Sequence, residues 1–247
     1  MTELTPVDQA HLLMLDVLPR QHLQLPSKAH IAAFDVDAQY TFTPVCPDEL
    51  PVAGGDEIAL ELNAQAQFAK YRLGSKDAHS LKALWLASPT APTFSPIEGI
   101  NTAGFNMVGF NMDIRWPAHA IVGTRGFELL DTLPKPSEYD YFVWKGVEPD
   151  MHPYGACFHD LQDRLSTGAI EFLLQHGVST VLVGGLATDY CVCTTALQLR
   201  RAGFEVIVNL GACRGITPAT CAQAEEKLRL SGVRLIGSAT ELRALEC

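Results

Sequence analysis

Basic side chains are scarce: 18 Lys and Arg stand against 28 Asp and Glu, a formal charge of −10 at neutral pH. An extended face for a polyanion is therefore a poor expectation, and nucleic acid is set aside as a partner. No apolar run reaches the roughly 18 residues of a membrane helix. The N-terminus shows no basic segment followed by an apolar core and a small-residue cleavage site. The chain reads as soluble and cytoplasmic, with no membrane partner. Its seven cysteines, at 46, 157, 191, 193, 213, 221 and 247, are odd in number and lack framework spacing, which suits a reducing compartment where a thiol stays free and reactive. Nucleotide cradles lose support too, because no Gly-x-Gly-x-x-Gly follows the first predicted strand and no Gly-x-x-x-x-Gly-Lys occurs.

What is present is ordinary globular composition, 47% hydrophobic with 19 Gly and 15 Pro, enough to bury a sizeable core. Residues 1–29 read as an accessory helix, near Pro6 to Leu18, followed by a polar linker, and 30–247 as one domain. Between about 82 and 117 the prolines 89, 92, 96 and 117 and glycines 99, 104 and 109 forbid a long regular element, so a loop-rich insertion is expected. Apolar strand patterns fall at Ile31–Asp37, Tyr71–Lys76, Tyr139–Lys145, Thr180–Gly185, Glu205–Val208 and Val233–Ile236. Helical patterns lie between them, from Gly54 toward Lys70, over Leu161–His176, Tyr190–Ala202 and Pro218–Leu230. Strands alternating with helices predict an α/β fold: a doubly wound, mostly parallel sheet of about six strands with helices on both faces.

Ligands of such sheets bind outside the carboxyl ends of the strands. Asp37 ends the first strand, Asp77 and His79 follow the second, Lys145 ends the third, and Cys191 follows the Gly-Gly turn after the fourth. A carboxylate, a carboxylate–imidazole pair, an amine and a thiol are thus delivered to one rim. Polar residues gather at strand ends in any protein, and a cysteine taken at random is more often a small hydrophobe than a nucleophile. Their joint composition is harder to dismiss. Cys191 stands where a loop becomes a helix, a place that stabilises a thiolate, and the backbone N–H groups of Ala187 and Cys191 could cradle an oxyanion. No His is close to Cys191 in sequence, so Asp37 is the better base, its pKa raised by a dry strand end; Lys145 could hold charge beside it. Asp77-x-His79, with His119 returning from the far side of the insertion, could form an open metal site. That mixed N/O set admits Zn, Fe or Mn without choosing among them.

At these residues the sequence resembles the nicotinamidase branch of the isochorismatase-like cysteine hydrolases. Gly185-Leu186-Ala187-Thr188-Asp189-Tyr190-Cys191-Val192 is similar to the family's nucleophile segment, and Asp37-x-Gln39-x-x-Phe42 to its opening motif. Asp77-x-His79, Trp116-Pro-x-His119, Gly123-Thr124 and Lys145-Gly146 follow in the family's order, so the resemblance spans roughly Ile31 to Ile236. It implies Cys191 as nucleophile, Asp37 as general base and Lys145 as third member of a triad. It also implies an oxyanion hole at Ala187 and Cys191 with a cis peptide between Leu186 and Ala187, and one divalent metal, zinc first, on Asp77, His79 and His119. Phe42, Trp116 and Tyr154 match the aromatic walls of the family's ring pocket; core packing is the alternative, above all for Phe42.

Two departures stand out. Ser80-Leu81-Lys82-Ala83-Leu84-Trp85 lacks a further His that some members carry, which leaves a three-residue ligand set completed by waters. Tyr40-Thr41 replaces the family's Asn-Asp, and Pro149-Asp150-Met151-His152-Pro153 precedes Tyr154, changes that bear on pocket shape more than on chemistry. The expected activity is hydrolysis of nicotinamide to nicotinate and ammonia through a thioester. The rivals are another small-amide hydrolase of the same superfamily and a catalytically silent binding subunit. Oligomeric state, a homo-oligomer included, is left open.

Overall fold

The computed structural model describes residues 24–97, 101–102, 105–106 and 111–245; the helix expected near Pro6 to Leu18 lies outside them. From the N-terminal side come β1 (Ile31–Val36), α1 (Ala59–Ala66), β2 (Tyr71–Asp77), and the two-residue strands β3 (Asn101–Thr102) and β4 (Phe105–Asn106). There follow β5 (Tyr141–Lys145), α2 (Ala169–Gln175), β6 (Thr180–Leu186), α3 (Cys193–Arg201), β7 (Glu205–Arg214), α4 (Pro218–Leu230), β8 (Arg234–Ile236) and α5 (Thr240–Arg243). Six strands make one sheet in the order β5-β2-β1-β6-β7-β8, every neighbouring pair parallel. β3 and β4 form a separate antiparallel pair inside the insertion.

The chain starts mid-sheet, winds outward through β2 and β5, then crosses back to build β6, β7 and β8 on the other side of β1. The winding direction therefore reverses between β1 and β6, where the two strands' carboxyl ends leave a crevice. Both are buried along their whole length, as strands covered on two faces must be. Side chains alternate across the sheet. Ala32, Phe34 and Val36 pack with Leu173, Val192 and Leu199 on one face, while Ile31 and Ala33 pack with Leu182, Ile207 and Leu242 on the other. Phe34 is fully buried, so its truncation to Ala would cost about 3–5 kcal/mol.

Local chemistry sets the helix limits. At α4, Thr217 caps the first turn by accepting from the Thr220 N–H at 3.2 Å, and Pro218 occupies a position whose N–H would be idle. The helix expected over Leu161–His176 is shorter: only Ala169–Gln175 is helical. The Asp160 carboxylate accepts from the backbone N–H groups of Gln162, Arg164 and Leu165, and this side-chain competition holds the preceding segment in a loop. The helix expected from Tyr190 also begins differently. Residues Thr188–Val192 form a wide turn in which the Val192 N–H reaches the Ala187 carbonyl at 3.1 Å, and regular α-helix starts at Cys193. Among the described residues no helix is long and apolar enough to cross a membrane.

Candidate active site

The ends of β1, β2, β5 and β6 meet at Lys145. Its buried ammonium stands 3.0 Å from Asp37 Oδ2, donates to Asp77 Oδ1, donates to the Pro153 carbonyl at 3.2 Å and lies 3.7 Å from Cys191 Sγ. Asp37 leaves β1 with φ +45°, the left-handed region that a non-glycine residue occupies at a cost. Ser75 holds it there: its hydroxyl donates to Asp37 Oδ1 at 2.7 Å and accepts from the Asp37 N–H at 3.2 Å. On β2, the Asp77 backbone is clamped by Gln39, whose amide accepts from the Asp77 N–H at 2.8 Å and donates to the Asp77 carbonyl at 2.9 Å. A cis peptide joins Leu186 to Ala187 just before the turn that carries Cys191.

Charge is distributed unevenly over this cluster. Burial raises Asp37 to about 6, against the lowering pull of Lys145 and with the repulsion of Asp77 added. For Asp77 burial also works upward, but Lys145 and the two imidazoles beside it hold the carboxyl well below its ordinary value. Lys145 resists the downward push of burial because both carboxylates keep it above the ordinary amine range. The Cys191 thiol corrects an expectation. Burial pushes it well above its ordinary value, which the Lys145 charge only partly offsets, and its hydrogen bond to Asp37 favours the protonated form. The sulfur therefore rests as a thiol, and the loop-to-helix position does not by itself make a thiolate. A base in contact with it is required, and Asp37 is in contact.

A second cluster adjoins the first. His79 Nδ1 is 2.9 Å from the Gly146 carbonyl and His119 Nδ1 is 2.8 Å from the Pro117 carbonyl. Each ring thus has its Nδ1–H held by backbone, which leaves an Nε2 lone pair free, the arrangement that carbonyl partners impose on metal-ligating histidines. The two Nε2 atoms face Asp77, at 3.5 Å from Oδ1 and 3.9 Å from Oδ2. His79 Nε2 is buried without a hydrogen-bond partner, and burial and the neighbouring His79 lower His119 to about 3, which keeps it neutral. Gly146 is required here, because it sits at φ +70° and a Cβ on it would come within 2.4 Å of the His79 ring. Imidazoles whose Nε2 atoms are oriented toward an ionised carboxylate fit a divalent transition metal.

Between the clusters is a small recess lined by Phe42, Trp116, His119, Tyr154, Ala187 and Cys191, among others. Its flat aromatic walls suit a small planar ring. All three aromatic residues expected from the sequence line it, and Trp116 meets Tyr154 edge-on with centroids 6.1 Å apart. Phe42 does double duty, since it also packs in the core against α1.

The sequence profile of the isochorismatase domain matches residues 107–240, more than half of the chain. The chain belongs to the isochorismatase domain family. It is 29% identical over 217 residues to a nicotinamidase of Acinetobacter baylyi, a match that covers 87% of this chain and 96% of that protein. In three dimensions it is similar to the nicotinamidase/pyrazinamidase of Acinetobacter baumanii, with TM-score 0.76, 29% identity, and coverage of 89% of this chain and 100% of the other. It is also similar to the pyrazinamidase of Pyrococcus horikoshii, solved in complex with zinc, with TM-score 0.62, 26% identity, and coverage of 84% and 98%. Within this isochorismatase domain, sequence reasoning missed three contributors: Ser75, Gln39 as a clamp, and His152. A Ser on a strand carries no signal of its own. His152 did carry one, an imidazole two residues before an expected pocket aromatic.

Proposed function

We propose that this chain is a nicotinamidase, hydrolysing nicotinamide to nicotinate and ammonia, with residues 30–247 as the catalytic domain. The observation that carries the reading is the Lys145 ammonium lying 3.0 Å from Asp37 and 3.7 Å from Cys191, whose thiol lines the aromatic recess. The similarity to proteins named nicotinamidase supports the substrate.

In this mechanism Asp37 accepts the Cys191 S–H proton as the sulfur adds to the amide carbon. Lys145 compensates the charge on the carboxylates throughout. The negative oxygen is received by the N–H groups of Ala187 and Cys191. Asp37 then gives its proton to the departing nitrogen, ammonia leaves, and the acyl group remains on sulfur. A water molecule, deprotonated by Asp37, adds to the thioester carbon; the C–S bond breaks, nicotinate is released and the proton returns to sulfur. Trp116, Tyr154 and Phe42 hold the flat ring so that its carboxamide meets the thiol. Asp77, His79 and His119 would hold a divalent ion, zinc before iron or manganese, a choice supported by the zinc complex of the similar Pyrococcus protein. When bound, the ion offers an open Lewis-acid position for the pyridine nitrogen or a water.

The deciding measurement is ammonia release from nicotinamide before and after chelation. Release that falls on chelation and returns with Zn2+ is expected; no release from metal-loaded protein overturns the reading.

A further inference from the structure

His152 lies outside the triad and outside the ligand set just described, yet it is the most constrained side chain near them. Its ring is sandwiched, nearly parallel to His79 on one side (5.2 Å, 20°) and to Trp116 on the other (5.6 Å, 17°), with Trp85 against its edge at 4.4 Å. The backbone on both sides is pinned. The Met151 carbonyl accepts from Trp85 Nε1 at 3.1 Å, the Pro153 carbonyl accepts from Lys145 Nζ at 3.2 Å, and the His152 N–H donates to the Asn111 carbonyl. His152 is 3% exposed, and both of its ring nitrogens are buried without a hydrogen-bond partner.

Leaving both nitrogens of a buried imidazole unsatisfied is costly, and such groups call for a partner. A core histidine would have found a carbonyl, as His79 and His119 did. Nitrogens of His79, His119 and His152 all lie within 4.8 Å of one another, and His152 lines the same recess as Asp77 and His119. We propose that His152 is a fourth protein donor to the ion held by Asp77, His79 and His119, taking a coordination position that a three-residue set leaves to water. The set becomes three neutral imidazoles and one carboxylate. Such a set holds a borderline divalent ion more tightly than two imidazoles and a carboxylate do. For a four-donor shell to admit substrate, the ion must reach at least five-coordination.

The inference rests on the metal site of the proposed function, and the test separates the two. Full-length protein is stripped with chelator and reloaded with Zn2+ or Co2+. X-ray absorption of the Zn2+ form counts the imidazoles, Co2+ absorption reports coordination number, and competition with a chromophoric chelator gives Zn2+ affinity. Three imidazoles are expected in the wild type. His152→Ala and His152→Asn are expected to show two imidazoles, an altered Co2+ spectrum and Zn2+ binding weakened about 100-fold, the upper end of the loss from an outer-shell partner. Two imidazoles in the wild type, or variants with wild-type affinity and spectrum, overturn the fourth donor and leave the metal site standing. A wild type that binds neither ion overturns both. Should both variants fail to fold, the wild-type imidazole count alone decides. A rise in KM for nicotinamide with unchanged metal affinity would make His152 a substrate contact, and that also overturns the proposal.

Discussion

Asp35 and Asp37 stand two residues apart at the end of the same strand. Both are buried, both are raised to about 6 chiefly by burial, and each faces a cation. Asp35 sits in regular β1, paired with Arg72 at 2.7 Å and accepting from the Tyr139 hydroxyl at 2.9 Å. Its cation reaches toward solvent. Asp37 has left the strand through φ +45°, shares its cation with Asp77, and lies within 4.8 Å of a thiol that opens on the recess. The two carboxyls titrate alike and differ in their partners. A displaced pKa in a parallel sheet therefore marks burial; a nucleophile and an empty volume beside the group mark chemistry.

The largest effect expected is at the sulfur. Cys191→Ala lowers ammonia release by at least about 10⁴-fold, as loss of a covalent nucleophile does, with an unchanged circular dichroism spectrum. Turnover near the wild-type rate would remove the thioester and, with it, the reason for singling out Asp37. Asp37→Asn lowers kcat by roughly 10²–10⁴-fold, the range for a positioned general base, whereas Asp35→Asn leaves kcat within a factor of a few. Equal losses in the two variants would mean that the cavity does not distinguish them.

Stability offers the converse measurement, in which Asp35 matters. Its folded pKa of about 6 lies above the ordinary 3.8. The proton-bound form therefore stabilises the fold below about pH 4, and that contribution is lost as pH rises through about 6. At 1.36 kcal/mol per unit the loss is roughly 3 kcal/mol. Asp35→Asn has no such proton, so between pH 4 and 6.5, which spans most of that loss, its unfolding free energy, from urea melts, should fall about 2 kcal/mol less than that of the wild type. Taking the difference cancels groups such as Asp77 that titrate in the opposite sense. Identical pH slopes would show that Asp35 carries no burial penalty.

How far the sequence foretold all this depends on range. The parallel sheet was legible because Ile31–Phe34 and Val181–Leu186 are continuous apolar runs, and the rim residues because strand ends are marked by the loss of that apolarity. The fold's exceptions came from single contacts. Asp160 turned an apparent helix into a loop through three backbone bonds, and neither the period nor the composition of Leu161–Gly168 registers them. The direction of the thiol's pKa shift was misjudged for a similar reason. A helix start is a local feature, but the sulfur's burial and its bond to Asp37 join residues 154 positions apart. His152 was legible as a departure before Tyr154, but its two idle nitrogens emerge only when the ring is seen between His79 and Trp116.

The finest test of the Asp35–Asp37 contrast is the acid limb of the rate. Asp37 must be ionised to take the thiol proton, and burial puts its pKa at about 6. Below that value kcat/KM should fall about tenfold per pH unit, because the free enzyme's base is progressively protonated. Asp35→Asn should leave the limb in place, since its own carboxyl never meets the thiol. Ser75→Ala should move it. The Ser75 hydroxyl donates to Asp37 and favours the ionised form, so its removal raises the pKa and shifts the limb to higher pH. A limb that stays put in Ser75→Ala but moves in Asp35→Asn would reverse the assignment of the two aspartates.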